Sequence, residues 1–388
     1  MFIIDEPYIS DVAEKFLVES QMPLLANDFA SQSVSSAANF ISSAEAALHL
    51  EKENFRWVYS NSENAISWIT ETFGADSDLA QKIDVFKDKA KFRKSTASLF
   101  PDITFRKVPA TEIATLTFES IGRPFIIKPN VGFISAGVHR VDTPEEWEAV
   151  QEKICQETEA TACAFPGEVI NSDTFVVESI IEGEEYAADA YFDEDNKPVV
   201  LNILYHRFSS EQDMSDRLYV TSAKIIEDRL EPIEEFLTDI AALGDYKGLP
   251  VHAEIRIDKE GRIRPIEINP LRFAGWCSTD IAYYGYGLNV YEHFANRTRP
   301  DWATLLKGKE SATYAMGVVE RASTLSDEQV FDYGAFEKLF SSLITLRKMN
   351  YRTFPLYAFA FFEVSPETEE ELDLILSMDP SRFVRDAN

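Results

Sequence analysis

The sequence predicts an α+β fold, on two observations. Between Phe175 and Asn269 six apolar runs of strand length follow one another with one helical pattern among them, whereas the first 75 residues alternate short apolar runs with helical patterns. At 388 residues and 45% hydrophobic content, the chain exceeds the roughly 250–300 residues at which single cores stop growing, so two or three packed parts are expected. The expected parts are 1–75, 76–300 with a subdomain at about 115–177, and 301–388.

The first part reads as a small α/β unit. A strand is expected at Phe2–Ile4, helices after Ser10 and from Ser35 to Leu50, and a strand over Phe55–Tyr59. Ser60 and Glu63 have the spacing of a capping box for a helix that Gly74 ends. No Gly-x-Gly-x-x-Gly follows the first strand, which argues against dinucleotide binding by that mode. Further on, Phe125–Lys128 is a strand, Val138–Val141 returns, and Thr143-Pro144-Glu145-Glu146 opens a helix.

Strands are then expected at Phe175–Ile181, Tyr186–Phe192, Val199–Leu204, Leu218–Ile226, Val251–Ile257 and Ile263–Asn269. A helix between Pro232 and Leu243, stopped by Gly244, interrupts them. The last part carries strands at Tyr314–Val319 and Phe354–Val364 and a helix opened by Ser365-Pro366.

A net charge of −29 argues against partners that present phosphate arrays, so neither nucleic acid nor a membrane is expected. No apolar stretch reaches the roughly 18 residues of a membrane span, and the N-terminus does not read as a signal peptide, so a cytoplasmic location is expected. Cys155, Cys163 and Cys277 lack C-x-x-C spacing and suggest neither disulfides nor zinc. Against the acidic background, Lys82, Lys87, Lys89, Lys91, Arg93 and Lys94 form a local basic run.

Two segments alternate polar with apolar residues. His252, Glu254 and Arg256 share one face of the first, and Glu267 and Asn269 one face of the second, with Ile266 and Ile268 on the other. A hairpin loop of two or four residues puts Glu254 and Glu267 on the same side, and four residues set them directly opposite. Two carboxylates and an amide oxygen suit Mg²⁺, which takes oxygen ligands. Asn269-Pro270 ends the strand and fixes its exit.

Lys128 closes an apolar strand ahead of a loop with Gly132, Ser135 and Gly137, where backbone N–H groups could approach an anion. The loop lacks the Gly-Lys-Ser/Thr ending of a P-loop. Glu178-Ser179-Ile180-Ile181 leads through an acidic turn to Glu185, a segment that could hold a flat base and accept ribose hydroxyls.

In this order the segments resemble the ATP-grasp superfamily, which includes biotin carboxylase, carbamoyl-phosphate synthetase and the D-alanine ligases. The resemblance runs from about Ala75 to Arg299. It implies an ATP-grasp fold behind a small N-terminal α/β domain, with Lys89 and Lys128 on the nucleotide phosphates and Gly132 to Gly137 as a lid loop. Glu178 to Ile181 would read adenine through the backbone, Glu185 would hold ribose, and Glu254, Glu267 and Asn269 would bind magnesium. Many relatives carry arginine two residues after that asparagine; here Leu271 stands there and Arg272 follows, and Arg272 takes the role of contacting the transferring phosphoryl group or substrate carboxylate.

The implied reaction is ADP-forming ligation of a small-molecule carboxylate to an amine through an acyl phosphate. Its cofactors would be ATP and one or two Mg²⁺, with Mn²⁺ able to substitute, and the partners would be the two substrates, in a chain that could pair as a homodimer. The alternatives are an ATP-grasp kinase, a bicarbonate-dependent carboxylase or a non-catalytic ATP-binding protein. Arg207, Arg217, Tyr219 and Ser222 are candidates for contacting the acceptor.

Overall fold

The computed structural model describes residues 1–131, 137–161, 171–210, 213, 215–321, 326 and 328–387, with the side chains of 155–161 and 171–172 left aside. Gly132, Phe133, Ile134 and Ser135 of the expected lid loop lie outside the described residues, as does Cys163. No helix among the described residues is long and apolar enough to cross a membrane.

Short parallel strands β1 (Phe2–Ile3), β2 (Leu24–Leu25), β3 (Phe40–Ile41) and β4 (Tyr59–Ser60) form a sheet in the order β3-β2-β1-β4. Four antiparallel strands, β5 (Phe105–Pro109), β6 (Phe125–Val131), β7 (His139–Val141) and β8 (Asn171–Ser179), form a second sheet in the order β5-β8-β6-β7. Val108, Phe125, Ile127, Trp147 and Phe175 pack beneath it as a separate core.

The largest sheet has eight antiparallel strands. It takes in β9 (Glu184–Phe192), β10 (Pro198–His206), β11 (Leu218–Ser222), β12 (Pro250–Ile257), β13 (Ile263–Pro270) and β14 (Thr313–Glu320). Beyond β15 (Gln329–Phe331) the chain adds β16 (Leu343–Lys348) and β17 (Leu356–Val364), and β15 pairs apart with β18 (Val384–Asp386). The order β13-β12-β9-β10-β11-β14-β17-β16 therefore carries the C-terminal strands in the same sheet as the candidate metal hairpin. One buried cluster joins Phe2, Leu24 and Tyr59 of the N-terminal sheet to Tyr191, Phe273 and Phe294.

Several expected elements differ, for physical reasons. Asn54, Phe55 and Trp57 have φ of 51°, 58° and 58°, so the strand expected over Phe55–Tyr59 is confined to Tyr59–Ser60. The helix expected over Ser35–Leu50 is preceded by β3 and runs Ser43–Lys52, where Ser42 and Glu45 form a true capping box. Ser60 and Glu63 form none: the helix Ala65–Phe73 starts at Asn64 without a side-chain cap, and Ser60 Oγ donates to the Ser62 carbonyl. The strand expected to Ile226 stops at Ser222, whose hydroxyl accepts from Ile225 N and starts the helix Ala223–Ala241. Pro232 lies inside that helix, where burial of Ile226, Ile233, Leu237 and Ile240 outweighs the lost backbone hydrogen bond.

Candidate active site

The register of β12 and β13 places Glu254 directly across from Glu267 and His252 across from Asn269. The turn is not the two- or four-residue loop of the sequence reading. Ile257 pairs with Ile263 across a five-residue loop, and a bulge then shifts the register so that Ile255 meets Pro265 and Glu254 meets Glu267. The one-residue excess in the loop and the one-residue bulge compensate, which restores the facing carboxylates. Ile266 sits in the bulge and belongs to none of the buried clusters, contrary to its expected place on the apolar face.

The bulge is held from outside the sheet. Arg93 donates from Nη1 to the Pro265 carbonyl at 2.8 Å and from Nη2 to the Ile266 carbonyl at 2.9 Å. Its Nε and Nη2 also bind the two oxygens of Glu178, at 2.7 and 3.2 Å. Asp88 caps the helix Lys89–Ser95 through Lys91 N, which points Lys89 and, one turn on, Arg93 to the same side.

Lys89 Nζ lies 2.8 Å from Glu267 Oε2, and Lys128 Nζ lies 2.6 Å from Glu178 Oε1. Both lysines are largely buried. Burial alone would raise the Glu267 pKa, but Lys89 and Lys128 outweigh it and hold the carboxyl well below its usual range. Glu254 faces the opposite balance: burial and the charge of Glu267 push it well above. Asn269 Nδ2 donates to Glu254 Oε1 and Glu267 Oε1, each at 3.1 Å, and so ties the pair together.

Three rows of side chains cross this face. Asn269, His252, Asp189 and Asn202 form one, Glu267, Glu254 and Ala187 the next, and Arg256, Glu185, His206 and Tyr219 the third. Fully buried Asp189 accepts from Ala274 N at 2.6 Å and Thr279 Oγ1 at 2.7 Å, and holds His252 Nδ1 at 2.8 Å. Glu185 is bound by His206 Nδ1 at 3.0 Å and Arg256 Nη2 at 3.0 Å. Gly183 turns the chain into β9 at φ 123°, and a Cβ there would fall 2.4 Å from the Ile257 carbonyl oxygen.

Arg272 Nε donates to Glu63 Oε1 at 3.0 Å and Nη1 to the Phe273 carbonyl at 3.1 Å. Leu271, the extra residue before it, takes φ 69°, so the chain turns through a left-handed conformation. Glu254 and Glu267 both act electrostatically on Arg272, which places the guanidinium within range of the pair.

Among the sequence-derived residues, Lys89 meets Glu267, Lys128 meets Glu178, and Asn269 joins Glu267 to Glu254, with some changes of role. Glu178 turns its side chain to Arg93 and Lys128, and its backbone is in register with Phe105 and Ile126; the Ile181 carbonyl accepts from Arg256. Ser179, Ile180 and Gly137 are partly exposed. Of the acceptor candidates, Arg207 pairs with Asp373, Arg217 binds the Ile375 and Met378 carbonyls, and Ser222 caps a helix. Only Tyr219 stands in the rows above. A hollow of about 500 Å³ lined by Ile226, Leu230, Trp302 and Leu306 contains none of these residues.

Arg93 and Glu63 carry more of the site than their sequence context suggests. Arg93 was signalled by its four-residue spacing from Lys89, whereas Glu63 was hidden by a local cap pattern. Among the described residues no three His, Cys, Asp or Glu side chains converge on a point; the oxygen set at the hairpin is two carboxylates and one amide.

Residues 121–280 match a family model described as an ATP-grasp domain. No curated protein matches the chain in sequence. The chain is similar to an L-amino acid ligase from Bacillus licheniformis, at 18% identity and TM-score 0.64 over 100% of this chain and 98% of that one. It is also similar to N5-carboxyaminoimidazole ribonucleotide synthetase from Thermotoga maritima, at 12% identity and TM-score 0.61 over 99% and 98%. A biotin carboxylase from Campylobacter jejuni follows at 11% and 0.60, over 94% and 87%. Residues 121–280 therefore match the ATP-grasp domain model, and the chain as a whole has the ATP-grasp fold.

Proposed function

We propose that the chain is an ADP-forming ligase that activates a small-molecule carboxylate as an acyl phosphate and joins it to an amine. The observation that carries this reading is the Glu254–Glu267 pair, set face to face by the bulge and linked by Asn269, with Lys89 against it and Arg272 within electrostatic range. Burial and mutual repulsion keep the two facing carboxylates from ionising together, and a divalent cation would let both carry their charge. The donor set fits Mg²⁺: all oxygens once the Asn269 amide turns about χ2 to present Oδ1 in place of Nδ2.

On this reading Glu254, Glu267 and Asn269 hold the ion, which when bound neutralises phosphate charge. Lys89 and Lys128 exchange their carboxylates for nucleotide phosphates. Arg272 faces the transferring group or the substrate carboxylate, so that positioning and charge neutralisation supply the catalysis without a protein nucleophile. Glu185 keeps capacity for a ribose hydroxyl beside Arg256 and His206, and Ser179 to Ile181 border the base.

Incubation with ATP, Mg²⁺ and the pooled proteinogenic amino acids tests the reading. Release of ADP and phosphate that depends on the pool supports it. AMP and pyrophosphate, or a stable phosphorylated product in place of a ligated one, would overturn it.

A further inference from the structure

Glu63 does two things that a surface carboxylate at the end of a small sheet has no reason to do. It lies three residues beyond β4, with its side chain 4% exposed, and it receives Arg272 on one oxygen at 3.0 Å and Lys87 on the other. Both cations come from distant segments. Lys87 stands two residues before Lys89, and Arg272 three residues after Asn269.

The loop that carries Arg272 is also pinned by the same N-terminal strand. Ser60 N donates to the Leu271 carbonyl at 2.7 Å, and Tyr59 packs on Phe273 with ring centres 5.1 Å apart. Leu271 in the left-handed region costs about 1 kcal/mol, so its surroundings must enforce that turn. Glu63 then sets the side chain. With Nε on Glu63 and Nη1 on the Phe273 carbonyl, the guanidinium plane is fixed, and its Nη2 makes no hydrogen bond with the described residues.

We propose that Glu63 is a positioning residue for phosphoryl transfer: from the N-terminal sheet it orients Arg272 so that Nη2 faces the reacting group. The inference rests on the ligase reading above. It gives the N-terminal sheet a part in catalysis without contact with substrate. An orienting anchor matters here because a misplacement of about 1 Å in a charge-stabilising group costs on the order of 100-fold in rate. Gln in place of Glu63 keeps the shape and removes the charge that holds both cations.

The test compares wild type, Glu63→Gln, Glu63→Asp, Arg272→Ala and the Glu63→Gln/Arg272→Ala double variant. ADP release with the amino-acid pool gives kcat and the KM for ATP, calorimetric titration gives ADP affinity, and thermal melting reports the fold. Glu63→Gln is expected to lower kcat about 30-fold or more with KM for ATP and ADP affinity within about threefold. In the Arg272→Ala background the same change adds less than about twofold, because its effect runs through Arg272. Glu63→Asp, which keeps the charge but shortens the reach, is expected to stay folded and lose kcat; it decides the matter if Glu63→Gln does not fold. Wild-type kcat in the folded Glu63 variants, or losses that multiply with Arg272→Ala, would overturn the positioning role. Failure of wild type itself to release ADP would overturn the ligase reading, and this inference with it.

Discussion

Two carboxylate sites within one cleft balance their charges in opposite ways. At Glu178 a single carboxylate meets two cations, Arg93 and Lys128, with both oxygens engaged and the side chain 3% exposed. At the β12–β13 hairpin Lys89 pairs with Glu267, and the Asn269 amide bridges Glu267 to Glu254. The first is a closed clamp that joins the four-stranded sheet to the eight-stranded one. The second is short of positive charge and holds two titrating groups in unlike states. Equal chemistry thus serves support in one place and leaves capacity for a cation in the other.

Removal of Glu178 should break the comparison most. Glu178→Ala leaves Arg93 and Lys128 buried without their anion, and a loss of about 3–5 kcal/mol is expected in urea unfolding. Arg93→Lys should follow, with a loss of about 2 kcal/mol, because lysine cannot bind Glu178 in two places while reaching both bulge carbonyls. Since the bulge sets Glu254 opposite Glu267, this variant should also raise the Mg²⁺ concentration needed for half-maximal ADP release.

The hairpin should respond with the other sign. Without Mg²⁺, Glu254→Gln removes a carboxyl that burial and Glu267 already disfavour, so unfolding should require roughly 1 kcal/mol more, while the rise in melting temperature on adding Mg²⁺ should vanish. A gain in stability is the outcome that separates this site from the clamp. Glu254→Gln melting below wild type without metal would remove the distinction.

The smallest effect is in pH dependence. Burial would raise the Glu178 pKa, but Lys128 and Arg93 overcome it and hold it at about 2. The unfolded chain therefore binds the extra proton first on acidification, and this contribution to stability is lost as pH falls from about 4.5 to 2. Glu254 acts in reverse: its folded pKa lies above the unfolded one, so its contribution fades as pH rises above about 4.5. Glu178→Gln should flatten the acid limb of the stability profile and Glu254→Gln its higher-pH side, as followed by melting across pH.

What was legible in the sequence follows from the range over which each signal acts. Alternation along residues 251–269 identified both hairpin strands and their polar face, because the pleat repeats within a few residues. The facing of Glu254 and Glu267 was foreseen through a regular loop and arises instead from a longer loop with a bulge, a detail that Arg93 imposes from another helix. Glu63 matched a helix cap locally, and tertiary partners from residues 87 and 272 drew it away. Pro232 read as a helix start, while the helix that contains it begins at Ala223 because its buried face extends further back than the breaker. Of the N-terminal sheet the strand at Phe2 was read in place, whereas β2 and β3, two residues each, carry too little periodicity to be read.

The continuity of the large sheet bears on how the chain can be cut. β11 has β10 on one side and β14 on the other, and its full five-residue register with β14 comes from residues 313–317. A fragment ended at residue 300 would keep the family-matched segment and the metal hairpin yet expose that strand's outer edge, with Leu218 and Val220 uncovered. Unpaired edges of this kind recruit other chains. The fragment should therefore aggregate on expression, so the shortest workable unit for biochemistry extends well past the last candidate ligand.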